Sequence, residues 1–205
     1  MKARFRTVLI LLISLQSLYS TGIGQFDQNI SYRIQGNNRH KYQDIFFESI
    51  SLGTPFLEFG NAFNWYQSGN REVATALAAT LVITQLPVIV AKYSIQRPRP
   101  QRIYQPHFWN TRITPSFPSG HVASSAAYAS FLSHFYPGAL PLLIGYAGLS
   151  AYSQVYVGNH FVGDVFAGWI TGWIVGSLIY SGLNKSVRHT LNTVPPPLIK
   201  ITLSF

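Results

Sequence analysis

Apolar residues in this chain gather in long runs instead of alternating singly with polar ones. Val73–Ala91 holds no charged side chain over 19 positions and is bounded by Glu72 and Lys92. Three more runs follow: His121–Phe135, rich in Ala and Ser, then Ala139–Val157, then His160–Leu183. Each is long enough for a helix, and their Ala, Gly and Ser content suits close helix–helix packing. Ahead of them, 46–66 is mixed: Glu48, Gly53, Pro55, Glu58 and Gly60 interrupt any long apolar helix. Residues 25–45 are polar, rich in Asn, Gln and Tyr, and read as an extended N-terminal segment. Between the first two runs lies the loop Tyr93–Pro118, carrying Pro98, Pro100, Pro106, Pro115 and Pro118. Pro195–Pro197 ends the helical part, and Leu198–Phe205 has strand-like alternation. No internal repeat is visible.

The first 24 residues have a different character. Lys2, Arg4 and Arg6 precede the apolar run Val8–Leu15, and small residues follow at Ser20, Gly22 and Gly24. This is the layout of a secretory signal, cut before Gln25 or near Ser20–Thr21, or of an uncleaved N-terminal anchor. Both place the chain on the export route. The expected organisation is a signal peptide or anchor at 1–24, an N-terminal segment at 25–72, a catalytic helical core at 73–194 and a tail at 195–205.

Composition narrows the function classes. A chain of 205 residues suits one domain with a full core. The absence of cysteine excludes disulfides, thiolate metal sites and a thiol nucleophile. Mean hydropathy of +0.16 is above most soluble proteins yet low for a chain made only of membrane spans. Fifteen Lys and Arg stand against six acids, a formal charge of +9. Asp27, Asp44, Glu48, Glu58 and Glu72 all lie in the first 72 residues, so Asp164 is the only acid beyond them.

Helix polarity locates the chemistry. Lys92 ends the first helix, His121 opens the second, Ser153 lies near the end of the third, and His160 opens the fourth. In an up-down-up-down bundle these ends share one side. Lys92, Arg97, Arg99, Arg102 and Arg112 therefore converge with both histidines and Asp164, a cluster of cations suited to phosphate. Pro118-Ser119-Gly120 leads into a helix whose first amides can point at phosphate oxygens. His160 and Asp164, four apart, share a helix face, so the carboxylate can orient the imidazole and stabilise its cationic form. Such a histidine can act as a nucleophile, leaving His121 to protonate a leaving oxygen.

Lys92-x6-Arg99-Pro100, Pro118-Ser119-Gly120-His121 and Ser153-Gln154-x5-His160-x3-Asp164 together resemble the three motifs of the type 2 phosphatidic acid phosphatase (PAP2) superfamily. That superfamily includes bacterial class A acid phosphatases and vanadium haloperoxidases, and the resemblance covers roughly residues 73–183. It implies an all-α helical bundle with its active site at one end, and hydrolysis of phosphate esters with no metal and no cofactor. By the family pattern His160 attacks phosphorus, Asp164 orients it, and His121 is the general acid. Lys92, Arg99, Ser119 and the Gly120 amide would bind the phosphoryl oxygens. One position departs: the third motif normally reads Ser-Arg, and here Gln154 follows Ser153, a phosphate ligand without its charge. Arg97, Arg102 or Arg112 could compensate.

The expected substrate is a phosphorylated lipid of the cell envelope: phosphatidate, phosphatidylglycerophosphate, an isoprenyl diphosphate or lipid A. The alternatives are a non-specific periplasmic acid phosphatase acting on small phosphate esters, a weakened polyanion-binding homologue, and a vanadium haloperoxidase. Clustering of the cations in one loop argues against nucleic acid as a partner. The site is expected on the periplasmic side. Whether the domain is soluble or membrane-bound turns on 46–66, which must cross for an integral protein to keep its site outside.

Overall fold

The computed structural model describes residues 22–36, 39–108 and 112–184 together with positions 188 and 196. Six α-helices make up the fold of these residues: α1 Gly22–Gln35, α2 Lys41–Gln67, α3 Arg71–Ile95, α4 Gly120–Ser133, α5 Leu140–Tyr156 and α6 Val162–Gly182, with a 3-10 turn at Pro137–Ala139. No strand occurs among the described residues. The four apolar runs correspond to α3, α4, α5 and α6. The leader up to Thr21 and the tail 198–205 lie outside the described residues.

Two expectations fail ahead of residue 73. Residues 25–45 are not extended but form α1 and the start of α2. The span 46–66 is not broken but lies within one helix of 27 residues. The reason is the same in both: the stripe facing the protein is polar. In α2 the buried positions are Asp44, Glu48, Ser51, Thr54, Glu58, Ala62 and Trp65, at helical spacing. In α1, Ser31 and Gln35 are fully buried. A hydropathy reading assigns such residues to solvent. Pro55 cannot donate to the carbonyl four residues earlier, that of Ser51. The Gln154 side chain supplies that bond instead, at 3.2 Å.

α4 is the central rod, with every residue from Val122 to Leu132 buried. It lies so close to α6 that a side chain on the facing glycines has no room: a Cβ on Gly168 would sit 2.5 Å from the Ser119 carbonyl, and one on Gly172 would overlap that of Ala123. Trp65, Leu77, Leu81, Phe131 and Leu132 fill the core at the end away from the Arg-rich loop.

Candidate active site

The end of α3, the start of α4, the end of α5 and the start of α6 meet on one side, as helix polarity requires. α3 stops at Gln96, whose left-handed backbone (φ 52°) lets its N–H close on the Lys92 carbonyl at 2.8 Å. Pro98 and Pro100 then keep the chain extended. Between α5 and α6, Gly158 turns the backbone at φ +69°, where a Cβ would be strained and would meet Gln35 Oε1 at 2.8 Å. The turn delivers His160 into a cavity of about 600 Å³. Arg99, Arg102, Arg112 and His121 line it with His160, and Leu52, Pro55, Phe56 and Ile113 form an apolar wall.

His160 is buried. Its Nε2 faces Arg99 Nη1 at 3.4 Å, and its Nδ1 faces Asp164 Oδ2 at 3.6 Å. The guanidinium can only donate, so Nε2 is the acceptor and the proton sits on Nδ1, towards the carboxylate. Nε2 therefore offers its lone pair to the cavity. Burial pushes the His160 pKa down to about 4; Asp164 opposes that, and Arg99 and Lys92 add to it. The ring is neutral at pH 7. His121 is solvent-accessible but recessed in the concavity, where desolvation first, then Arg99 and Lys92, lower its pKa.

The other site residues divide. Arg99 lies on the cavity wall, held by Thr114 and by the Asn159 carbonyl. Lys92 sits behind that wall, with Nζ donating to Pro115 O at 2.6 Å. Ser119 is fully buried, and its Oγ accepts from Val122 N as the N-cap of α4. Gly120 begins α4, and a Cβ there would meet Gln85 Oε1 at 2.9 Å. Gln154 departs most from expectation. Although it borders the cavity, its amide donates to Ser51 Oγ at 2.9 Å and to Ser51 O. Its carbonyl oxygen accepts from Asn159. Its hydrogen bonds tie α5 to α2. Arg97 does not stand in for the missing charge either. It is buried, with Nη1 2.6 Å from Asp164 Oδ1 and Nη2 2.7 Å from Asp27 Oδ2.

Sequence reasoning missed the N-terminal contributions. Asp27 Oδ1 accepts from Gly163 N at 2.8 Å and Ser31 Oγ from Val162 N at 2.9 Å, so α1 caps the N-terminus of α6. Glu48 accepts from the amides of His107 and Phe108 at 2.8 and 3.0 Å, fixing the Arg-rich loop to α2. Nothing local in the sequence marks this: Arg97 and Arg99 lie two apart in a stretch stiffened by Pro98, yet one faces buried acids and the other the cavity.

Comparison with known proteins places these features in a family. The model of the PAP2 superfamily matches residues 73–188. An undecaprenyl-diphosphatase from Sulfolobus acidocaldarius is 30% identical over 189 residues, covering 85% of this chain and 89% of that protein. The crystal structure of a transmembrane PAP2-type phosphatidylglycerolphosphate phosphatase from Bacillus subtilis superposes with a TM-score of 0.66 at 21% identity, over 85% of this chain and 93% of that one. That of Aquifex aeolicus LpxE gives a TM-score of 0.60 at 29% identity, over 73% and 92%.

Proposed function

Because the chain belongs to the PAP2 superfamily and is a hydrolase of phosphoric esters, we propose that its substrate is a lipid phosphate, with a lipid diphosphate favoured. The observation that carries this is the cavity wall, which sets three arginines and two histidines against Leu52, Pro55, Phe56 and Ile113. Phosphate needs the first group and a hydrocarbon chain the second. Arg99 faces His160, while Arg102 and Arg112 lie further along the loop and provide for a second phosphate. The relative from Sulfolobus acidocaldarius, named for a diphosphatase activity, supports the same choice.

In this reading Nε2 of His160 attacks phosphorus as the P–O bond to the leaving group breaks, and His121 gives its proton to the departing oxygen. The dianionic substrate raises the proton affinity of His121, offsetting the cations that lower it. Water then loses a proton to His121 and attacks the phosphohistidine. The P–N bond breaks, inorganic phosphate leaves, and both histidines regain their starting states. Asp164 stabilises the charge that His160 gains. Arg99 and the Gly120 amide at the start of α4 meet the phosphoryl oxygens, and Lys92 adds positive charge from behind the wall.

We further infer that the bundle sits in the membrane with this end outermost, on the periplasmic side. α3 and α6 are long and apolar enough to cross a membrane. α2 supports the same reading, because it is inside-out: acids and hydroxyls face the protein, and Phe46, Phe56, Leu57, Phe59 and Phe63 are exposed. Polar side chains turned inward and aromatics outward suit lipid better than water. Its 27 residues reach about 40 Å, enough to span. With α2 crossing, α3 returns outward and delivers the Arg-rich loop to the outer face.

Phosphate release from detergent-solubilised full-length protein tests the reading. An isoprenyl diphosphate, phosphatidylglycerophosphate and lipid A should be cleaved with higher kcat/KM than glycerol phosphate, and His160→Ala should abolish each activity. Equal kcat/KM on lipid and small esters would favour the non-specific phosphatase.

A further inference from the structure

Asp164 is fully buried, and one of its oxygens is engaged by a guanidinium at 2.6 Å. Taken alone, that pairing is a problem for catalysis. A carboxylate neutralised by Arg97 presents a net charge near zero to His160, and can do little for an imidazole becoming cationic. The structure contains the compensation. Arg97 uses its second nitrogen on Asp27, 2.7 Å away, so the three groups carry a net charge of −1 beside the histidine.

We propose that Asp27, on α1, is a positioning residue of the active site. It balances Arg97 so that Asp164 keeps its negative charge for His160, and it fixes the helix end on which Asp164 stands. This rests on the phosphohistidine reading given above. Geometry supports both parts. Asp27 Oδ1 accepts from Gly163 N, the residue just before Asp164, at 2.8 Å. Asp164 Oδ2 in turn accepts from Phe161 N at 2.9 Å. A Cβ at Gly163 would come within 3.0 Å of Asp27 Oδ2 and 3.6 Å of Arg97 Nη1, so the carboxylate approaches the backbone closely. Arg97 is also stacked over the Phe161 ring at 4.0 Å, which leaves it little freedom to swing away. α1 thus reaches the active site through Asp27.

The charged groups facing His160 are Asp164 from the first turn of α6, Arg99 from the loop and Lys92 from α3. His121 of α4 shares the cavity. Removing the charge of Asp27 leaves Arg97 acting on Asp164 unopposed. The cationic form of His160 is then less favoured, which moves its titration to lower pH and slows nucleophilic attack.

Asp27→Asn keeps the shape and the acceptor for Gly163 N. In full-length protein it should lower kcat by roughly 10- to 100-fold with KM nearly unchanged. The acid limb of kcat/KM should move to lower pH. Nuclear magnetic resonance of histidine-labelled protein in micelles should find His160 titrating lower than in the wild type, a readout that needs no turnover. Ser31→Ala removes the neighbouring contact between α1 and α6, and should reduce Tm while leaving the pH limb and the titration in place. Asp27→Asn behaving like Ser31→Ala, with Tm reduced but kcat and the His160 titration unmoved, would overturn the proposal. A wild type inactive on every lipid phosphate would overturn the underlying functional reading instead, and the His160 titration would still decide the role of Asp27.

Discussion

Gln154 donates its side-chain amide to the carbonyl of Ser51, the acceptor that Pro55 leaves without a helical partner. At the position where the family motif has arginine, this chain has therefore placed a residue that repairs a proline-containing helix. Gln154→Leu should leave that buried carbonyl unpaired and cost about 1–3 kcal/mol. The expected result is a lower Tm with the KM for phosphate substrates unchanged. A raised KM at unchanged Tm would return Gln154 to the phosphate site.

The two histidines should fail differently. His160→Ala removes the nucleophile and should abolish turnover on every ester. His121→Ala removes the acid, so an ester with an acidic leaving group such as nitrophenyl phosphate should be far less affected than a lipid ester. His121→Ala incubated with labelled nitrophenyl phosphate and quenched in alkaline detergent, where a P–N bond survives, should retain phosphate on the protein. Absence of that label, with turnover continuing, would contradict the phosphohistidine route.

Burial of neutral His160 makes stability depend on pH with a defined sign. Its pKa is about 4 in the folded protein against 6.5 for the free side chain. The unfolded chain therefore binds the extra proton first, and stability should fall as pH drops from about 6.5 towards 4. Thermal unfolding across that range should show the decline, and His160→Gln should flatten part of it. The lowered pKa of His121 contributes in the same direction.

On the proposed reading, Arg102 and Arg112 should separate the substrate classes. Arg112 donates to the carbonyls of Pro100 and Gly158 at 2.9 and 2.6 Å, which holds it at the cavity wall. Arg112→Gln should raise KM for a lipid diphosphate by about tenfold or more, the worth of one charge-assisted contact. The KM for a lipid monophosphate should change much less. Equal loss on both would tie Arg112 to the phosphoryl group being transferred.

Gly172 tests how α4 and α6 meet. A Cβ there would overlap the Ala123 carbonyl. Gly172→Ala should therefore force the helices apart and cost about 1–3 kcal/mol, seen as reduced Tm. The glycines at 145 and 148, whose Cβ positions are open, should accept alanine without loss.

Much of the site was legible because helix polarity is a local property. Lys92 and His121 mark helix ends that meet, whereas His160 stands two residues ahead of α6 in the turn after Gly158, so that turn and not a shared helix face brings it to Asp164. α1 and α2 were not legible, for a physical reason. Hydropathy assumes that polar residues face water, and Asp27, Ser31, Asp44, Glu48 and Glu58 face protein. Each has a distant partner there: Arg97 for Asp27, Val162 N for Ser31, Arg39 for Asp44, loop amides for Glu48, and Ser125 and Tyr146 for one oxygen of Glu58.

The sequence by itself determined four apolar helices, the end of the bundle at which their motifs meet, and a cation-rich site with a single acid after residue 72. Only the tertiary structure decided which charges belong to substrate and which to each other. Arg97 and Arg99 are two residues apart and chemically identical, yet one is spent on Asp27 and Asp164 while the other faces His160. That division depends on Asp27 and Asp164 meeting Arg97 from two different helices, and no local pattern encodes it. Spacing along a helix fixes neighbours within a turn or two, whereas pairing across the bundle is settled when α1 docks and every buried charge must find its partner.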